Sequence, residues 1–408
     1  MTKKLEIYGT LGPACACVDT LRQMFAEGIT GMRLNLSHTT LTGSEELIGS
    51  FHDAAASEGV SPSLLIDMQG PELRVGRFPS PIKLERDALV RLIPNPASGI
   101  SSCEKGASSD DTGSDPGSSS DKAGYRKAAL PDCPEITVPP ALLKVLTAGI
   151  PLLIDDGKLL LETAEISDDG QERIAHAVVR TGGMLHSLKS IAAEGLEVPG
   201  DTLTPQDKMN LRYASSMGVT DVMQPFVRGA QDLTRVREAM RENGAGHLRL
   251  FAKIENRAGA EALGEIIPHA DMIVIARGDL GNSLPLWKLP VLQHYIAAAC
   301  RAENAPFMVV TQMLASMEHS PVPTRAEVSD IFRAAAEGAA AIMVTGETAG
   351  GQYPVEASRY LVRTAAEALR CFGKMEGGVE KITGNSAAEL IRKLYDINCE
   401  QMSKERGI

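Results

Sequence analysis

No stretch of about 20 consecutive apolar residues occurs in the 408-residue chain, so the sequence offers no candidate for a membrane-spanning helix. The opening residues, MTKKLEIYGT, also lack the long apolar run of a secretory leader. Basic residues are not in excess. The chain holds 41 Lys and Arg against 52 Asp and Glu, a net charge of −11. That balance argues against a nucleic-acid partner but leaves room for a local cationic pocket. Cysteines are scattered and odd in number: Cys15, Cys17, Cys103, Cys133, Cys300, Cys371 and Cys399. They fit a reducing, cytoplasmic setting better than a disulfide framework. The Cys-Ala-Cys pair has neither the spacing nor the partners of a zinc site. No Gly-x-x-x-x-Gly-Lys phosphate loop is present, and GDLGNS lacks the lysine, so a P-loop ATPase is disfavoured.

What the chain does contain is a repeated unit. Apolar residues make up 43%, enough for a sizeable core. Eight short apolar runs recur: LEIYGTLG (5–12), GMRLNLS (31–37), SLLIDMQG (63–70), VTDVMQPFV (219–227), LRLFAKIE (248–255), DMIVIARG (271–278), PFMVVTQM (306–313) and AAIMVTGE (340–347). Amphipathic helical stretches such as VDTLRQMFAEG and LPVLQHYIAAACRAE lie between them. Strands alternating with helices predict parallel βα units, and eight of them predict an α/β fold of the (β/α)8 TIM-barrel kind. The spacing breaks once. From Val75 to Gly200 strand-like pieces and a DDG turn signal a small β domain inserted after the third strand. The predicted units are therefore 1–74 and 201–375 for the barrel, 75–200 for the insert and 376–408 for a tail with one helix. Within the insert, the Ser-, Gly- and Asp-rich segment 98–124 cannot bury a core and is expected to be disordered.

The polar residues that interrupt these strands sit at or just past their C-terminal ends. They are Arg33, Asn35 and Ser37 after strand two, Asp67 after three and Lys253 and Glu255 after five. Arg277 and Asp279 follow strand six, Thr311 seven, and Thr345 and Glu347 eight. In a barrel that face carries the chemistry. A single Lys–Glu pair is more often a structural ion pair, but polar interruptions at one end of six strands are not explained that way. Lys253 and Glu255, at i and i+2, share one strand face. Glu255 and Asp279 are hard oxygen donors suited to Mg²⁺. Lys253 beside such an ion can balance a phosphoryl group or an enolate. The Gly278–Asp279 step opens a turn whose N–H groups can cradle a carboxylate. Asn35, Ser37 and Asp67 supply oxygens plausible for a monovalent cation, although Asn35 and Ser37 taken singly are ordinary turn formers.

These residues sit in motifs that resemble one family. TLGPAC, RLNLSH, IDMQGPELR, AKIEN, ARGDLG, TQMLASM, PTRAEVSD and TGETAGGQYP match pyruvate kinase in order and spacing over about residues 5–370. The resemblance implies transfer of a phosphoryl group from phosphoenolpyruvate to ADP, giving pyruvate and ATP, the closing step of glycolysis. It implies that Arg33 contacts the phosphate. It assigns K⁺ to Asn35, Ser37, Asp67 and the Met68 carbonyl, and Mg²⁺ (or Mn²⁺) to Glu255 and Asp279. Lys253 would stabilise the phosphoryl group in flight and the enolate. Thr311 would help bind the substrate and join the relay that protonates the enolate, and the Gly278 and Asp279 amides would bind the substrate carboxylate. His38, Arg74 and Lys189 fall on the nucleotide side, and Glu72 occupies the position linked with K⁺ dependence. The insert becomes a small β-barrel lid over the barrel mouth.

The chain departs from the family pattern at several points. Met68 replaces a Thr, Gln69 a Lys, and Pro225 a Ser, and the usual lid stretch is replaced by SLKSIAAEGLEVPG, which makes the Lys189 match loose. The family's C-terminal effector domain is not matched, so a homodimer through barrel helices, or a higher homo-oligomer, is expected. Two other readings use the same residues. One is a divergent relative that acts as a binding or regulatory protein. The other is an aldolase on pyruvate enolate, which would not need Lys253, Arg33 and the K⁺ set together. The complete set favours the transferase.

Overall fold

A computed structural model describes residues 5–95 and 133–373, apart from 156, 169–172, 194–195, 197–199 and 283. The segments expected to be a disordered loop (98–124) and a helical tail (376–408) lie outside the described residues. Each of the eight apolar runs forms a strand: β1 (Glu6–Thr10), β2 (Gly31–Asn35), β3 (Ser63–Asp67), β4 (Asp221–Gln224), β5 (Arg249–Ile254), β6 (Met272–Ala276), β7 (Phe307–Val310) and β8 (Ala341–Met343). They pair in sequence order, all parallel, and β8 closes on β1. The barrel is thus a closed eight-stranded sheet, and helices such as Val18–Glu27, Glu45–Glu58 and Leu289–Ala302 link its strands. The main apolar core includes the helices' buried faces and the outward strand residues.

Strand alternation decides what fills the interior. One face of β5 carries Arg249, Phe251 and Lys253, and Glu255 follows just past its end. The same alternation gives Glu6, Tyr8 and Thr10 on β1, Ser63, Leu65 and Asp67 on β3, and Asp221 and Met223 on β4. The middle of each row is apolar. Tyr8, Leu65, Met223, Phe251, Val274 and Met308 form one buried cluster inside the barrel. Gly31 belongs there because the Tyr8 ring fills its side-chain space: a Cβ on Gly31 would lie 2.3 Å from Tyr8 Cε1. The barrel is therefore a packed core and not a pore.

Below that layer, toward the strand N-termini, the rows turn polar. Arg249 donates to Glu6 Oε1 (2.9 Å) and Oε2 (3.0 Å), to Asp221 Oδ1 (2.5 Å), and to the Tyr8 hydroxyl (3.0 Å). Asp221 is fully buried. Burial and its two acidic neighbours, Asp221 and Glu6, push the Tyr8 phenol well above its ordinary range.

The insert has its own core, with Val75, Leu92, Val138, Leu152, Leu161 and Val179 among its buried residues. Its six-stranded sheet runs in the order 191–193, 151–154, 159–168, 173–181, 89–94 and 135–138. The pairing is antiparallel except between the last two strands. A two-stranded ladder, Ile82–Leu84 with Gly183–Leu185, completes the unit. Its two connections to the barrel converge on one buried carboxylate. Asp207 accepts from the Gln69 and Gly70 N–H groups on the outgoing chain (2.8 and 3.1 Å) and from Thr204 N and Oγ1 on the returning chain (both 2.9 Å).

Replacing Arg249 with Met would leave the Asp221 carboxylate buried without its cation. Arg249→Met should lower the unfolding free energy by about 3 kcal/mol. Urea unfolding followed by circular dichroism tests this, and an unchanged midpoint would show that the polar layer is passive.

Candidate active site

At the opposite end, the same inward rows meet again as a charged cluster. Asp67 at the end of β3 is 2% exposed. Its Oδ2 accepts from Arg33 Nε (2.9 Å) and Nη2 (2.6 Å) on β2, and from Lys253 Nζ (3.3 Å) on β5. Lys253 also pairs with Glu255 Oε1 at 2.7 Å, so the alternation that puts both on one face brings them into contact. Glu255 Oε2 accepts from the N–H of Phe226 at 2.8 Å. Phe226 has a φ of 53°, a left-handed conformation unusual for a bulky residue, and it aims that N–H at the carboxylate.

The charges hold one another in their ionised forms. Burial alone would push the Asp67 carboxyl up, but Lys253 and Arg33 outweigh it and hold it below the ordinary carboxylate range. Burial likewise works against a charged Lys253, but Asp67 and Glu255 raise its pKa above that of a free lysine. Both groups are therefore charged throughout the neutral range.

The cluster forms the floor of a cleft of about 1110 Å³. Around the rim stand Asn35, His38, Gly278, Asp279 and Thr311. Asn35 Oδ1 accepts from Ser37 N–H at 3.2 Å. Gly278 and Asp279 begin the short helix Arg277–Asn282. Between barrel and insert lies a recess of about 280 Å³ that adds Ser37, Met68, Glu72, Arg74, Lys158 and Lys189. Glu72 and Arg74 pair at 2.5 Å. Burial pushes the Glu72 carboxyl up against the pull of Arg74. Lys189 and Lys158 both pair with Asp155, at 2.8 and 3.3 Å. Every site residue expected from the sequence thus lines one of two connected openings.

Two contributors, Lys158 and Asp207, escaped the sequence reading, and two others, Arg277 and Glu347, were marked only as polar residues at strand ends. Arg277, expected only as a polar residue at a strand end, binds the Thr311 carbonyl through Nε (3.1 Å) and Nη2 (2.7 Å). Glu347 is buried and accepts from the N–H groups of Leu314 (3.0 Å) and Thr345 (2.6 Å), tying the loops after β7 and β8 together. Lys158 adds a second cation from the insert to the recess, beside Lys189. Asp207 pins the loop that carries Met68, and the Thr-x-x-Asp capping box at Thr204 was the one legible signal for it.

A sequence model described as "Pyruvate kinase, barrel domain" matches residues 2–97 and 119–358. The chain belongs to the pyruvate kinase family. It is 32% identical to the pyruvate kinase of Geobacillus stearothermophilus over 90% of its own length and 57% of that protein's. It is 30% identical to the pyruvate kinase of Aeropyrum pernix over 91% of this chain and 72% of that one. For the pyruvate kinase of Chlamydia pneumoniae the figures are 32%, 88% and 68%. The chain thus spans little more than half the length of the first of these relatives. Among the described residues, no helix is long and apolar enough to cross a membrane.

The electrostatics generate a signed prediction. Asp67→Asn should lower the unfolding free energy at pH 7 by about 3 kcal/mol, since two buried cations lose their shared counter-ion. A carboxyl whose folded pKa is depressed contributes stability above its unfolded pKa of about 3.9 and loses it as pH falls through the folded value. The deficit of the variant should therefore shrink below about pH 4. Urea titrations at pH 7 and pH 3 that gave equal deficits would contradict this.

Proposed function

We propose that this protein transfers the phosphoryl group of phosphoenolpyruvate to ADP, yielding pyruvate and ATP. The observation that carries the reading is the Arg33–Asp67–Lys253–Glu255 cluster at the barrel mouth. Phosphoryl transfer needs positioned charge more than a side-chain nucleophile, and two buried cations beside acidic oxygens meet that need. Arg33 and Lys253 face the transferred phosphoryl oxygens, and Lys253 also neutralises the enolate left behind. The Gly278 and Asp279 N–H groups receive the substrate carboxylate. Thr311 passes the proton that completes pyruvate. His38, Arg74 and Lys189 hold the nucleotide, with the insert as lid.

The residues present fit two kinds of cation. Among the described residues, no three His, Cys, Asp or Glu side chains cluster closely enough to hold a metal on their own. Glu255 and Asp279 are hard oxygen donors that suit Mg²⁺ (or Mn²⁺), which keeps waters and substrate oxygens around one or two carboxylates. Bound there, it supplies charge neutralisation at the phosphoryl oxygens. Asp67 Oδ1 is buried without a hydrogen-bond partner. Such an oxygen calls for an unrecorded partner, and K⁺ held by Asn35, Ser37, Asp67 and the Met68 carbonyl would provide one.

A coupled assay with phosphoenolpyruvate, ADP, Mg²⁺ and K⁺ tests the reading, and absence of ATP formation would reject it. Lys253→Met should keep the fold and lower turnover by about 10³, the scale of a lost preorganised charge contact. Turnover should also depend on K⁺, with Na⁺ a poor substitute. Glu72→Lys, which places a permanent cation in the recess, should weaken that dependence. Equal wild-type rates in K⁺ and in a tetraalkylammonium buffer would remove the monovalent site from the scheme.

A further inference from the structure

Thr311 and Gln312 follow β7 with φ values of 80° and 55°. Two consecutive non-glycine residues in the left-handed region, one of them β-branched, persist only where the surroundings over-determine them. Arg277 grips the first of them. Its Nε and Nη2 close a fork on the Thr311 carbonyl at 3.1 and 2.7 Å. Nη2 also reaches Met313 Sδ at 3.0 Å, and Nη1 is held by Asp330 Oδ2 at 2.6 Å and lies 3.5 Å from Gln293 Oε1. Four hydrogen bonds and one ion pair thus engage the guanidinium, and its side chain is only 11% exposed.

The Thr311 side chain is fixed from the other side. A Cβ on Gly278 would stand 3.2 Å from Thr311 Cγ2 and 3.9 Å from Oγ1, so the methyl lies against Gly278. The hydroxyl makes no hydrogen bond among the described residues, and Thr311 lines the cleft.

We infer that Arg277 is a positioning residue for proton delivery: by gripping the Thr311 carbonyl it holds the Thr311 hydroxyl toward the enolate. This rests on the function proposed above. In the step concerned, the electron pair of the enolate C=C forms a new C–H bond and the enolate oxygen becomes the ketone oxygen. The proton leaving Thr311 Oγ1 is replaced from water. Without the fork, residues 311 and 312 relax toward ordinary backbone conformations and the hydroxyl swings off line. Asp330 acts through Arg277, since it orients the guanidinium from the helix Arg325–Ala336.

The test separates proton transfer from phosphoryl transfer. Wild type, Arg277→Lys, Arg277→Met and Asp330→Asn are compared in the coupled assay. They are also compared for deuterium entry into the methyl group of pyruvate in D₂O with ATP, Mg²⁺ and K⁺, followed by proton NMR. Arg277→Met should slow exchange about 30-fold or more and lower kcat. The KM for phosphoenolpyruvate should change by less than about 3-fold, because the carboxylate and phosphate contacts remain. Arg277→Lys, which keeps the charge against Asp330 but not the fork, should fall between wild type and Arg277→Met. Exchange within about 3-fold of wild type in Arg277→Met would overturn the inference. So would losses of exchange, kcat and KM that track only the folded fraction. If Arg277→Met does not fold, Arg277→Lys and Asp330→Asn decide by the same criterion. A wild-type protein inactive in both reactions would instead overturn the proposed function.

Discussion

Asp67 is the point on which the barrel mouth depends. It takes two cations from two other strands, and it is the one carboxylate that Arg33 and Lys253 share. Bringing charge out of water is costly, and a buried cation is tolerated only with a well-placed anion. The arrangement divides the labour within one carboxylate. One oxygen is saturated by Arg33 and Lys253, while the other is buried and bare. The cluster is thus held rigid and still has binding capacity in reserve. Glu255 repeats the pattern in milder form, with Lys253 on one oxygen and the Phe226 N–H on the other.

The two ends of the barrel use the same residue types for opposite purposes. At the N-terminal end Arg249, Glu6, Asp221 and Tyr8 satisfy one another. At the C-terminal end the charges leave one buried Asp67 oxygen without a hydrogen bond, at the floor of a cleft. The apolar layer of Tyr8, Leu65, Met223 and Phe251 separates them. It keeps water from running through the barrel and confines reactivity to one face.

Much of this was legible in the sequence because the signals were local. Apolar runs bounded by turns mark strands, and the polar residue that ends each run marks the mouth. Lys253 and Glu255 could be put on one face by counting by two. The convergence of Arg33 and Lys253 on Asp67 could be suspected but not drawn, since register between strands distant in sequence is not written in either strand. Arg277 was visible as a polar residue, yet its hold on Thr311 spans 34 positions and depends on a backbone conformation that composition does not reveal. Asp207 sits in a Thr-x-x-Asp capping box, a pattern that speaks only of a helix start. That it also receives the Gln69 and Gly70 amides follows from the return of the chain after the insert.

That return has a consequence for how the molecule assembles. Strands β3 and β4 are neighbours in the sheet, with Asp67 opposite Met223, yet the whole insert separates them in the chain. Closing so long a loop slows folding, because chain entropy is lost before the pairing is gained. The insert relieves this by having a core of its own. Once it condenses, its entry and exit are brought near each other, and the barrel sees a short tether where the sequence has a long one. Asp207 then acts as the clasp that converts this tether into a fixed corner of the sheet. The insert's own core thereby shortens the effective loop that the pairing of β3 with β4 has to close.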